Sequence, residues 1–126
     1  MKHAKILIVE DELPLLDALT EMFKTEKFHV LRAGNGFEGL DMALKYHPDL
    51  ILTDILMPKM DGVEFIKRLK KDEWGKQIPI IVLTNLSDKQ ELTEIMNIGV
   101  SDYLLKADWS LKDIVQKVKD KLAEKQ

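Results

Sequence analysis

Apolar residues along the chain fall into two patterns. Short runs rich in β-branched residues or leucine recur at 6–9, 28–32, 50–53, 78–84 and 103–105, and each predicts a strand. Ile6-Leu7-Ile8-Val9 and Ile80-Ile81-Val82-Leu83 do not alternate apolar with polar residues. Such runs mark strands covered on both faces, as in a parallel sheet, so helices are expected on both sides.

Between these runs the apolar residues return at helical spacing. Leu15, Leu19, Met22 and Phe23 form one stripe, Phe37, Leu40 and Leu44 a second, and Val63, Ile66 and Leu69 a third. The last helix has the clearest one, Leu111, Ile114, Val115, Val118 and Leu122, with Lys112, Asp113, Lys117, Lys119 and Asp120 mostly off it. Pro14 suits a first helical turn, Gly34-Asn35-Gly36 a turn, Ser87 or Asp88 an N-cap, and Gly99 a helix end. Five strands thus alternate with five helices. Right-handed crossovers wind such a (βα)5 chain into a three-layer α/β sandwich. All 126 residues are expected to form a single domain, with no output domain.

Composition narrows the function. The net charge of −3 disfavours a general attraction to nucleic acid. No cysteine is present, which rules out a disulfide framework or thiolate metal site and fits a reducing cytoplasm. The run after Met1-Lys2-His3-Ala4-Lys5 is too short for a signal-peptide core or membrane span, so a cytoplasmic, non-membrane protein is expected.

In open α/β sheets the chemistry gathers beyond the carboxyl ends of the strands. Strand one runs into Glu10-Asp11-Glu12, strand three into Asp54, strand four into Thr84 and strand five into Lys106. Any one acidic residue after a strand is as readily a cap or a solvated loop residue; it is their convergence on one rim that points to a site. Crowded carboxylates repel unless a cation neutralises them. Mg2+ suits, because it is held by one or two carboxylates and keeps positions for water and phosphate oxygens. Asp54 can then act as a nucleophile toward phosphorus, with Lys106 as a point charge and Thr84 as a hydroxyl donor.

Together these residues resemble the CheY-like receiver domain of two-component response regulators, over nearly the whole chain. The resemblance rests on residues 6–12, on Pro48 through Asp54-Ile55-Leu56-Met57-Pro58-Lys59-Met60-Asp61-Gly62, on Pro79 through Thr84, and on Gly99 through Lys106. It implies a parallel sheet in order 2-1-3-4-5 and a phosphoryl group accepted on Asp54 from a histidine kinase or phosphotransfer protein. It further implies Mg2+ held by Asp11, Asp54 and the Leu56 carbonyl with Glu10 beside it, Lys106 paired with the phosphoryl group, and Thr84 moving to hydrogen-bond it. Tyr103 would turn inward behind Thr84, slow autodephosphorylation would end the signal, and helix four, strand five and helix five would present it to an output partner. The oligomeric state stays open between a monomer and a phosphorylation-dependent dimer.

The chain departs from the family pattern in two places. Ala107 follows Lys106 where proline is usual, and a non-proline cis bond costs about 2.5–4 kcal/mol, so the lysine is expected on a trans bond and a different loop. Asn85 follows Thr84 where a small residue is usual, and its amide is placed to narrow access to the phosphoryl group or to hydrogen-bond it. Leu56 and Leu86 stand where the family tunes entry of the hydrolytic water; both are apolar, which predicts a long-lived phosphoryl group.

Other readings have less support. A haloacid dehalogenase-type hydrolase would need a second aspartate where Leu56 stands, and a flavodoxin-type cofactor loop would not present Glu10-Asp11-Glu12 to a phosphate. A receiver that keeps the fold and binds a partner constitutively stays open. His3, His29 and His47 lack ligand spacing and read as structural or exposed, while Trp74 and Trp109 flank loops.

Overall fold

Strand β1 (Lys5–Val9) pairs in parallel with β2 (His29–Ala33) on one side and β3 (Leu50–Asp54) on the other. Beyond β3 lie β4 (Ile80–Thr84) and β5 (Tyr103–Leu105), giving the sheet order 2-1-3-4-5. The structure, a computed structural model, describes residues 3–124, the side chain of Leu86 excepted.

Strand residues alternate between two cores. Leu7, Val9, Ile51 and Val82 pack with α2 (Gly36–Tyr46), α3 (Gly62–Leu69) and Ile95 of α4 (Lys89–Asn97). Ile6, Ile8, Leu50, Leu52, Ile81 and Leu83 pack with α1 (Leu13–Thr25) and α5 (Leu111–Ala123). Since β1, β3 and β4 are central and covered on both faces, their residues, Lys5 apart, are apolar until the carboxyl ends, where Thr53, Asp54 and Thr84 are buried, and the uninterrupted runs follow.

Local signals fix most helix ends. Pro14 stands in the first turn of α1, where its missing N–H costs nothing. The side chains of Asn35, Asp61 and Ser110 cap α2, α3 and α5 by accepting from the backbone N–H groups of Glu38, Glu64 and Asp113. Gly99, at φ 109°, ends α4 in a conformation that glycine adopts without strain.

Two stripes differ from expectation. In α1 the buried side chains include Leu16, while Leu15 and Met22 are only partly covered. In α2 the residues against the sheet are Gly39 and Ala43, and Phe37 and Leu44 are exposed. A Cβ on Gly39 would lie 2.9 Å from Val9 Cγ2. The helix approaches the sheet through small residues, with Leu40 and Met42 partly buried against the core and Phe37 and Leu44 turned outward.

Candidate functional site

Val9 of β1 is in register with Thr53 of β3, so Glu10 and Asp54 emerge side by side where these strands end. The chain leaves β1 for β2 on one side and reaches β3 on the other, which makes this rim the switch point of the sheet. The loop after Asp54 returns tightly to it. Gly62 N–H donates to the Ile55 carbonyl at 2.6 Å, and a Cβ on Gly62 would fall 2.5 Å from the Asp54 carbonyl oxygen. Only glycine fits there, and Asp61 starts α3 immediately before it.

Lys106 closes the site from the far side of β4. The peptide bond to Ala107 is trans, and residues Lys106–Asp108 form a single 3-10 turn that aims the ammonium inward. Nζ lies 2.9 Å from Asp54 Oδ2, 3.2 Å from Glu10 Oε1 and 3.3 Å from Glu12 Oε1. The other Asp54 oxygen, Oδ1, accepts from the Ile55 N–H at 2.7 Å. The Asp54 carboxylate is thus oriented at both oxygens, with only its rim open to solvent.

Glu10 is fully buried. Its Oε2 accepts from the Glu12 N–H at 3.1 Å, whereas Oε1 has no hydrogen-bond partner. The 3.2 Å approach of Lys106 is an ion-pair distance, but the direction is wrong for a hydrogen bond, so Oε1 is attracted without being satisfied. Burial, then the charge of Asp54, pushes the Glu10 carboxyl up to about 7. Burial by itself would depress the Lys106 ammonium; the hydrogen bond to Asp54 and the charges of Asp54 and Glu10 outweigh it and hold lysine above its ordinary range.

Glu10, Glu12 and Asp54 each offer a carboxylate oxygen within 4.8 Å of the others. A hard divalent cation fits this donor set: all ligands are oxygens, a single ammonium stands against three carboxylates, and the buried Glu10 Oε1 lacks a hydrogen-bond partner. Asp11 is not in the group. Its carboxylate is exposed, and Glu12 occupies the approach instead, drawn by Lys106. Glu12 thus joins the carboxylate group at the strand ends, a place that its position in the Glu10-Asp11-Glu12 run signalled.

Thr84 is buried at the end of β4, but its single hydroxyl proton is shared between the Asn85 carbonyl, 3.2 Å away, and Asp88 Oδ2, 3.4 Å away, within its own loop. The Asn85 side chain is engaged in a reciprocal capping box with Asp88. Asp88 is the residue before α4, yet its carboxylate reaches back to the Asn85 N–H and does not cap the helix. Tyr103 is 42% exposed and Leu56 50% exposed. The side chain of Leu86 lies outside the described residues.

A concavity of about 860 Å³ lies at the opposite pole, lined by Lys5, His47, Asp49, Trp74 and Gln77 among others. Its polar groups serve the fold. The Lys5 backbone N–H donates to Asp49 at 2.7 Å, its ammonium donates to the Tyr46 carbonyl, and His47 stacks on Trp74 with ring centroids 4.2 Å apart. His3 and His29 are exposed, as is Trp109. No helix of the described residues is long and apolar enough to cross a membrane.

Comparison with known proteins agrees with this geometry. The family model of the response regulator receiver domain matches residues 6–119. The chain is 34% identical over 106 residues to the sporulation initiation phosphotransferase F of Bacillus subtilis (strain 168), covering 84% of each. It is 35% identical over 101 residues to the polar-differentiation response regulator DivK of Brucella ovis, covering 80% of this chain and 82% of the relative. Against the transcriptional regulator RpaA of a Synechocystis strain it is 33% identical but spans only 42% of the relative's length. Among solved structures, a putative response regulator from Chloroflexus aurantiacus aligns with TM-score 0.87 and 31% identity over 97% of this chain and 99% of the other. The chemotaxis response regulator CheY4 of Vibrio cholerae aligns with TM-score 0.86 and 26% identity over 94% and 98%. The chain belongs to the response regulator receiver family of two-component signalling and has its CheY-like fold.

Proposed function

We propose that this chain is a phosphorylation switch in which Asp54 accepts a phosphoryl group from the phosphohistidine of a histidine kinase or phosphotransfer protein. The observation that carries the reading is the contact of Lys106 Nζ with Asp54 Oδ2 at 2.9 Å, beside the buried, incompletely bonded Glu10. An Asp54 oxygen forms the new P–O bond as the P–N bond to the donor imidazole breaks, and the electron pair leaves with that nitrogen. Lys106 supplies a fixed positive charge that can follow a transferred phosphoryl oxygen. Ile55 N–H holds the second oxygen of the nucleophile, so little reorientation precedes attack.

Asp54, Glu10 and the acidic loop Asp11-Glu12, with the Leu56 carbonyl, are the groups that would hold Mg2+. Bound there, the ion would offset charge on the attacking and transferred oxygens. Once Asp54 is phosphorylated, Thr84 would turn to donate to it, and Tyr103, half exposed on β5 in register with Val82, would move inward. The α4, β5 and α5 face would carry the change to an output partner by shifting a two-state equilibrium. Turnover of substrate is not its task; slow hydrolysis of its own phosphoryl group would reset it.

The test is incubation with Mg2+ and acetyl phosphate, read by intact mass, with Asp54→Asn as control. A Mg2+-dependent gain of one phosphoryl group that the control lacks is expected. Unchanged mass would identify a receiver fold that binds its partner constitutively.

A further inference from the structure

Among the described residues, Asp88 is the one fully buried carboxylate outside the Glu10 and Asp54 site, and the family reading assigns it no task. Among the described residues it has no ion-pair partner. Its donors all come from the loop between β4 and α4: Asn85 N–H at 3.0 Å and Thr84 Oγ1 at 3.4 Å to Oδ2, and Ser87 Oγ at 3.4 Å to Oδ1. A buried carboxylate is costly unless hydrogen-bonded, so each of these neutral donors matters.

Thr84 has one hydroxyl proton to give. While it points to the Asn85 carbonyl and Asp88, it cannot serve a phosphoryl group on Asp54. Should it turn there, Asp88 loses a donor at a position no water reaches, and the loop holding Asp88 at the start of α4 must rearrange.

We infer that Asp88 is a positioning residue that holds Thr84 in its unphosphorylated orientation, setting the fraction of molecules ready for the activated state and linking the Thr84 hydroxyl to α4. This rests on the reading of Asp54 as phosphoacceptor. The linkage is competitive: a weaker acceptor at position 88 frees Thr84 and raises the competent fraction, which tightens apparent binding of anything that selects that state.

The experiment measures the apparent affinity of the full chain for beryllofluoride, a phosphoryl mimic, with Mg2+ present, using Trp109 fluorescence or amide chemical shifts. Asp88→Ala is expected to bind about fivefold more tightly, the size of one modest hydrogen bond. Asp88→Asn, which keeps the shape and the cap, should shift in the same direction by less, and it carries the comparison if the alanine variant no longer melts cooperatively. The decisive comparison repeats both in a Thr84→Val background, which has no hydroxyl to release. There the effect of changing Asp88 should vanish. Equal tightening in both backgrounds would make Asp88 a plain loop cap and overturn the inference, as would unchanged or weaker binding in Asp88→Ala and Asp88→Asn. If the wild type takes up the mimic and only this pattern fails, the reading of Asp54 survives; if the wild type takes up neither mimic nor phosphoryl group, both fall.

Discussion

Lys106 Nζ stands 2.9 Å from Asp54 Oδ2, 52 positions away in the chain, on a trans bond to Ala107. Among the described residues it is the only cation within ion-pair distance of Glu10, Glu12 or Asp54. Removing one member of a buried ion cluster leaves the rest uncompensated, at a cost of about 3–5 kcal/mol when fully buried. Lys106 keeps some solvent contact, so Lys106→Ala should lose on the order of 2–3 kcal/mol at pH 8 in EDTA. Urea unfolding checks this, and added Mg2+ should return most of the loss by supplying the missing positive charge. An unaltered midpoint in EDTA would mean that the carboxylates do not depend on the ammonium.

The raised Glu10 carboxyl makes stability depend on pH in a defined direction. Its ordinary value is 4.5 and its folded value about 7, so the native state binds the proton more tightly than the unfolded chain does. The contribution is fully present below pH 4.5 and is lost as pH rises through about 7. The difference corresponds to on the order of 3 kcal/mol at 1.36 kcal/mol per pKa unit. Glu10→Gln carries no charge at any pH. In EDTA it should match the wild type near pH 4 and exceed it at pH 8. Parallel urea midpoints for the two proteins across that range would contradict the assignment.

How much of this could be read along the chain depended on side-chain size and on what each residue competes with. The strands were legible because β1, β3 and β4 are apolar on both faces; each run begins or ends within two residues of the strand found. The contact face of α2 was not, because Gly39 and Ala43 make the close approach while the larger Phe37 lies exposed near Arg68, its ring centroid 6.0 Å from the guanidinium carbon. Glu10, Asp54, Thr84 and Lys106 could be placed from strand ends alone. The contact of Glu12 with the Lys106 ammonium could not, since it depends on where that ammonium reaches. Asp88 read as a helix cap, and its bond to Thr84 appears only when the loop is folded.

Gly62 ties the loop after Asp54 to the backbone of the site. A methyl group there would meet the Asp54 carbonyl oxygen at 2.5 Å and Ile55 Cα at 2.9 Å, and backbone atoms cannot give way as a flexible side chain can. Gly62→Ala should therefore cost about 1–3 kcal/mol, as overpacking does elsewhere. Because the displaced atoms belong to Asp54 and Ile55, phosphorylation by acetyl phosphate should slow as well. A variant with wild-type melting and a wild-type adduct rate would show that the loop absorbs the methyl freely.

Leu56 stands two residues after Asp54, and half its surface is open to solvent. Hydrolysis of a phosphoryl group on Asp54 needs a water placed for in-line attack, and an apolar side chain at the rim offers that water no hydrogen bond. Leu56→Asn should shorten the phosphoryl lifetime several-fold, because an amide of similar length can both accept from and donate to the attacking water. Substitution at this exposed position should leave the melting temperature nearly unchanged, so a changed lifetime would report on chemistry and not on folding. Loss of the adduct followed by mass over time, with Mg2+ fixed, separates the outcomes: faster decay supports control by water access at this residue, whereas an equal rate would place that control elsewhere in the site.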